Sequence, residues 1–305
     1  MEFDNIRMYQ LIMLPQTKLN TPQSRQEYGM QTGFRIMPRS FGQYSIGEHK
    51  FVAVESEEIL VASNTLSHED YVRARELDLT VEILHNGRIH SEIVGICNFY
   101  GLSWFDDIIM PFYHRRREFS EGISKMYDAF VIGTSDRLWG SEQELVEFVT
   151  NNIDELLLDE RGTNEMSTGK STAFFALFQE INKALFTLLS EKLLKSDKND
   201  PWMETYLSEI EHYSLLRKLN LFSRDEIFSG LFSFDLNLLE KVGFNMNETE
   251  ARLSCPQRFS LVHDSKQKGL ISEYSKEFGA TIDGLGKMLM RYPYIHRLFR
   301  IAEAI

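Results

Sequence analysis

The residues STGKST at positions 167–172 carry the Gly-Lys-Ser-Thr that closes a phosphate-binding P-loop. That loop needs GxxxxGK[ST], so that successive backbone N–H groups wrap the phosphates while the lysine reaches them. Here the first glycine's place is held by Asn164, and the nearest upstream glycine is Gly162. The preceding NNIDELLLDERG reads as a helix, whereas a P-loop follows a strand. The serines and threonines are therefore expected to cap a helix.

Other groups could do chemistry if the fold gathered them. WFDD (104–107) offers paired carboxylates, with His85, His90 and His114 on either side. General acid–base catalysis or a carboxylate–histidine metal site would need these in one cleft. Adjacent acids leave a helix on different sides, however, and Asp106 stands three residues after Ser103, where it completes a first-turn cap. FYHRRREF (112–119) places Arg115, Arg116 and Arg117 after a histidine. A nucleic-acid contact would need companion basic or stacking residues. A solvated cationic helix end paired with acids is expected, with a partner-facing patch as the alternative. Cys97 and Cys255 are far apart and belong to no CxxC or CxxxCxxC, so the chain alone builds neither a thiolate metal site nor an iron–sulfur cluster. HExxH, GxSxG and a Ser-His-Asp order are also absent.

What must position these groups is a chain of 305 residues, 43% hydrophobic and 26% charged, with net charge −12. This is an ordinary globular composition. Its acidic balance gives no general attraction for nucleic acid or anionic membranes. MEFDNIRMYQ carries acids where a signal peptide wants Lys or Arg, and no stretch approaches about 20 apolar residues. A cytosolic chain with reduced thiols is expected.

The stretch YQLIMLPQTKLN (9–20) reads as a buried strand running into a Pro-Gln-Thr turn. Thr21, Pro22 and Gly29 mark the cap, first position and stop of a short helix. Short aromatic and β-branched runs from 33 to 63, with turns at Gly42 and Gly47, predict a small hairpin or meander. From Ser67 the period becomes helical, with Tyr71, Ala74, Leu77, Val81 and Leu84 on one stripe and Asn86-Gly87 as the close. Ser141 and Glu144 have capping-box spacing, and residues 171–195 form the longest periodic run. Asp200-Pro201 starts another helix. RFSLVHD is a candidate strand, followed by a helix from Asp264 to Phe278. The expected class is α+β and predominantly helical: a short hairpin front over 1–85, then a multi-helix domain over 86–305. Polar linkers fall at 161–170 and 195–200.

Several of these segments, in order, carry a resemblance. YQLIMLPQTKLN followed by SRQEYGM resembles the end of the catalytic barrel in cobalamin-binding-type radical SAM enzymes. There a strand ends in a Leu-Pro-Gly-Thr turn before a short helix with a Tyr-Gly close. FRIMPRSFGQYS is similar to the hairpin that follows, and LSHEDYVRARELDLTVEILHN to a helix of the pattern s-x-x-D-x-x-x-A-R-x-L. RLWGSEQELVEFV and the final YSKEFGATIDGLGKMLMRYPYIHRLFR are similar to the C-terminal helical region. The resemblance spans nearly the whole chain but only the last portion of such proteins. Gln16 departs from the family's glycine, and the cluster-binding CxxxCxxC and the cobalamin domain are absent.

The resemblance implies that the hairpin front is the remnant of a partial TIM-type barrel end. It implies that Pro15, Gln16, Thr17 and Lys18 lie nearest the substrate, and that the helical back caps it. The [4Fe–4S] cluster, S-adenosylmethionine and cobalamin would belong to a barrel and cobalamin domain in the same or a separate chain, with neither nucleic acid nor membrane as partner. On this reading the chain is the tail of a larger or split catalyst. The alternative is a free-standing helical interaction module without enzymatic activity. The first reading expects an apolar, unpaired edge around residues 9–15. The second expects that edge covered by the chain's own residues, with any exposed apolar patch on the helices.

Overall fold

The computed structural model describes residues 5–158, 165–194, 201–279, 281–292 and 294–305, without the side chains of Pro38, Arg39, Leu158 and Asp283. Thr21 caps α1 (Pro22–Glu27) by accepting the Ser24 N–H, and Pro22 occupies the first helical position. Gly29 follows the helix at φ 57. A long antiparallel hairpin comes next, β1 (Gln31–Ile46) and β2 (His49–Ala62). Its two-residue turn puts Gly47 at φ 60, the geometry that matches the twist of paired strands.

Helices then dominate. They are α2 (His68–Leu84), α3 (Ser91–Tyr100), a π-helical turn at Trp104–Ile109 leading into α4 (Met110–Arg115), α5 (Glu121–Asp136), α6 (Glu142–Asn151), α7 (Ile153–Leu158) and α8 (Glu165–Ser171). A second π-helical turn, Thr172–Ala176, precedes α9 (Phe178–Leu194) and α10 (Met203–Lys218). The remainder is β3 (Phe228–Phe234), α11 (Leu236–Lys241), α12 (Glu248–Ala251), β4 (Arg252–Val262), α13 (Ser265–Phe278), α14 (Ile282–Arg291) and β5 (Ile301–Ala304). The last three strands form one antiparallel sheet in the order β3-β4-β5. The chain is a predominantly helical α+β protein. Among the described residues no single helix is long and apolar enough to cross a membrane.

Local readings meet the structure unevenly. Asp264 and Gln267 form a reciprocal capping box, and α13 stops at Gly279 with φ 73. Gly42 is not a turn; it pairs with Ala53 inside the ribbon. The run from 171 to 195 breaks, because the π-helical turn ends at Leu177 before α9 begins. Of the two linkers, residues 161–164 and 195–200 lie outside the described residues, as does the expected Asp200 start, while Glu165–Lys170 are helical.

Packing divides the chain into two compact units. The hairpin unit comprises Arg7–Leu79 and Tyr127–Gly169; the helical unit comprises Met1–Ile6, Thr80–Met126 and Lys170–Ile305. This differs from a single cut at residue 85. Residues 127–169 join the hairpin because Leu145, Val149 and Ile153 bury against Ile36, with Phe34, Val52 and Trp139 packed around them. Phe34 and Trp139 also exchange both main-chain hydrogen bonds, each 2.8 Å. A second cluster gathers Ile59, Val61 and Tyr71.

In the helical unit the apolar core includes Phe174, Phe178, Ile271, Met288 and Phe299. A charged pair is buried beside it. Glu92 of α3 accepts from the Lys218 ammonium at 2.7 Å and from Arg217 at 3.2 Å, and both members of the Glu92–Lys218 pair are fully enclosed. Lys218 also donates to the Ser214 hydroxyl at 2.8 Å, which donates to Asn182 at 3.0 Å. Burial pushes the Lys218 ammonium down to about 8. Burial pushes the Glu92 carboxyl up, but Lys218 and Arg217 outweigh it and hold the group below its ordinary value. Arg300, itself fully buried, donates to the carbonyls of Leu219 and Asn220 just past the end of α10. Removing one partner of such a pair strands the other in a medium of low dielectric. Glu92→Gln is therefore expected to lower unfolding free energy by about 3–5 kcal/mol in a urea titration; a loss below about 1 kcal/mol would show that the pair is not held as described.

Candidate functional site

The turn singled out by sequence is exposed and tied down by hydrogen bonds. Pro15, Gln16, Thr17 and Lys18 all face solvent. The Asn20 side-chain amide donates to the carbonyls of Met13 at 2.8 Å and Leu14 at 3.3 Å, and Thr17 donates to Leu14 at 2.9 Å. Arg25 of α1 locks this arrangement. Its guanidinium holds Asn20 Oδ1 at 2.6 Å and the Glu58 carboxylate of β2 at 2.6 and 2.8 Å, while Thr32 donates to the same carboxylate. Gln16 takes φ 62, in the left-handed region where glycine alone is unstrained. That is the position where the resembling turn carries glycine.

The stretch before the turn is not the buried strand expected of it. Only Met13 is buried; Met8, Tyr9, Leu11, Ile12 and Leu14 are exposed, Tyr9 at 84% and Leu14 at 57%. One edge is paired, through an antiparallel bridge between Ile12 and Ile59 and bonds from Met13 N–H to Glu58 and from Leu60 N–H to Leu11. Among the described residues no strand pairs with the other edge. Apolar residues here do not enter the core, because the ribbon has α6 and α7 to cover its apolar face.

The hairpin unit also contains a cleft that sequence reasoning missed. It is roughly 400 Å³ counting its open mouth, and is lined by Gln10, Arg35, Tyr71, Arg75, Thr134, Arg137 and Glu165, with Ile36, Ile59, Leu138 and Trp139 as its apolar wall. The helices contribute by their period: α2 presents Tyr71 and Arg75 four residues apart, and α5 presents Thr134, with Arg137 in the turn just past its end. Arg35 is held by Glu57 directly across the ribbon at 2.7 Å and also donates to Gln10, which donates to the Tyr71 hydroxyl. Arg75 pairs with Asp78 and lies 5.6 Å over the Phe130 ring, but its buried Nε–H has no partner. The buried hydroxyl of Thr134, a residue 8% exposed, has none either. Arg137 reaches Glu165 at 3.3 Å. Gly133 makes room for the Glu165 stem; a Cβ there would stand 2.6 Å from the Glu165 Cγ. Burial holds the Glu165 carboxyl above its ordinary value, against the pull of Arg137, Arg35 and Arg75. Arg35 and Arg75 lie in two of the segments that carry the family resemblance, which is the signal that could have pointed here. Thr134 and Arg137 had no such signal.

The other candidate groups are absorbed by structure. STGKST lies in α8 and the turn after it, so its Ser and Thr do not cap a helix, and Lys170 is buried against Glu82 at 2.5 Å. Ser103 caps through the Asp106 N–H, and Asp107 pairs with Lys192 at 3.0 Å. His90 is buried, stacked on Phe178, and pushed down to about 3 by burial and by Lys218. Arg115 pairs with Glu191 and Glu118, and Arg116 lies over Tyr113. Among the described residues no three His, Cys, Asp or Glu side chains converge as a metal site. Burial pushes the Cys97 thiol up to about 12, and Cys255 is exposed, so the residues present do not fit an iron–sulfur cluster.

Two outcomes follow for the turn. Gln16→Gly is expected to raise unfolding free energy by about 0.5–1 kcal/mol in urea, by relieving left-handed strain; a destabilisation would contradict the geometry. Glu58 is held below its ordinary value of 4.5, chiefly by Arg25. A depressed carboxylate contributes stability that is complete above the unfolded value and is lost as pH falls through the lower folded one. Stability measured from about pH 5 to pH 3 should therefore fall less steeply in Glu58→Gln than in the parent, and equal slopes would exclude the clamp.

Compared with known proteins, the chain matches no family model and no curated protein sequence.

Proposed function

We propose that this chain is the C-terminal accessory and substrate-capping region of a cobalamin-binding-type radical SAM protein. The observation that carries the reading is the stretch from Arg7 to Leu14, bonded to β2 at Leu11 and Met13 and exposing Met8, Tyr9, Leu11, Ile12 and Leu14. An apolar run in an extended backbone with one open edge is a surface built to be continued by another strand. The clamped turn behind it, with Gln16 already at a glycine-like φ, fits the end of a barrel strand. Under this reading the barrel supplies the cluster, S-adenosylmethionine and cobalamin, and Pro15, Gln16, Thr17 and Lys18 would face its mouth.

The alternative, a free-standing interaction module, draws on the same place: β2 of this chain already covers one edge of the stretch. The two separate by experiment. DNA in frame with or beside this coding sequence is expected to encode a CxxxCxxC polypeptide, and that polypeptide, expressed separately, should co-purify with this chain. Tyr9→Glu combined with Leu14→Glu should abolish the association while changing stability by less than about 0.5 kcal/mol, because both side chains are exposed. Association that survives the double substitution, or cysteine-dependent cluster incorporation into this chain alone at Cys97 or Cys255, would overturn the proposal.

A further inference from the structure

The cleft of the hairpin unit has more hydrogen-bond donors than the protein uses. Arg35 is engaged by Glu57 and Gln10, but the Arg75 Nε–H and the Thr134 hydroxyl are buried without partners, and Arg137 makes one contact, at 3.3 Å. Buried donors left unmade are costly, so a cluster of them beside an open mouth marks a place where an acceptor belongs. Charge narrows the acceptor. Three guanidiniums face three carboxylates, Glu57, Asp78 and Glu165, which leaves room for one negative charge when Glu165 is neutral or displaced. The wall of Ile36, Ile59, Leu138 and Trp139 asks for an apolar body behind that charge.

We propose that this cleft binds a small organic carboxylate, seated on Arg75, Thr134 and Arg137, in competition with the protein's own Glu165 carboxylate.

Glu165 shows the chemistry without being its best occupant. A carboxylate well held by three arginines would sit below its ordinary range, yet burial holds this one above it, with Arg137, Arg35 and Arg75 too poorly placed to compensate. Tyr71, the remaining titratable group on the wall, is itself raised by burial. An incoming carboxylate that reaches Arg75 and Thr134 as well as Arg137 gains charge-assisted bonds that Glu165 does not make.

Trp139 in the wall reports the test. The full chain, its Glu165→Ala and Glu165→Gln variants, and Glu165→Ala with Thr134→Val are titrated with benzoate, benzamide and inorganic phosphate. Tryptophan fluorescence and calorimetry follow binding, and circular dichroism confirms folding. Benzoate is expected to saturate, at least ten-fold more tightly in a folded Glu165 variant than in the parent. Benzamide should bind at least ten-fold more weakly than benzoate, and Thr134→Val should cost at least five-fold. Absence of saturable benzoate binding in both Glu165 variants, equal binding of benzamide, or tighter binding of phosphate than benzoate each overturns the assignment.

Discussion

Glu57 and Glu58 are neighbours on β2, and a strand sends neighbouring side chains to opposite faces. The turn and the cleft both depend on that alternation. Glu58 leaves one face to meet Arg25 and Thr32, and so fixes the Pro15–Lys18 turn. Glu57 leaves the other to meet Arg35, and so fixes one wall of the cleft. A slip of one residue would exchange the faces and undo both. The register is protected where it matters. The register shifts between Gln31 and Thr32, runs unbroken from Thr32–Leu60 through Arg35–Glu57 to Ile36–Ser56, and shifts again where residues 37–40 stand against Glu55 alone before Phe41 meets Val54. Both irregularities thus fall outside the stretch that carries Glu57 and Glu58, and its end at Ile36 is pinned by the cluster of Leu145, Val149 and Ile153.

The helical unit resolves its buried charge differently. Glu92 and Lys218 are sequestered together, and Arg217, Ser214 and Asn182 extend the network around them. Desolvating such a pair cancels much of its attraction, so its net contribution to stability is small even though breaking it is costly. What it fixes is register: a carboxylate on α3 and an ammonium at the end of α10 can meet in one alignment of those helices. The ammonium's place in the last turn of α10 also suits the negative end of that helix. His90, neutral and stacked on Phe178 beside this network, belongs to the same packing problem and not to an acid–base pair.

Features set by neighbouring residues were legible in the sequence. Thr21-Pro22, Ser103-Asp106, Ser141 and Asp264 cap helices where their types and spacing say they should, since a cap is a bond across three residues. The class, α+β and mostly helical, followed from periodicity. What failed depended on distant partners. The stretch from Tyr9 to Leu14 has the composition of a buried strand, but burial is decided by which face finds cover, and here α6 and α7 were already claimed by β1 and β2. The return of residues 127–169 to the hairpin rests on Trp139 and Leu145, whose partners lie about a hundred positions earlier. The cleft was invisible for the same reason: Arg35, Arg75 and Arg137 are ordinary singly, and only the fold brings them together.

The arginines of the hairpin unit separate scaffold from site by how fully they are used. Arg25 gives every N–H to Asn20, Thr32 and Glu58, so it has no capacity left and its neighbourhood is fixed. Arg35, shared between Glu57 and Gln10, comes close to the same saturation. Arg75 and Arg137 stop short, each with one acidic partner, and the first keeps a buried N–H without one. A saturated guanidinium holds structure, because moving it breaks several charge-assisted bonds at once. An unsaturated one, enclosed beside a hydroxyl that also lacks a partner, leaves the folded chain with a cost that further folding cannot remove. Among the described residues of this unit that cost falls at the cleft, while the turn, though open to solvent, is held by a guanidinium whose N–H groups are all used.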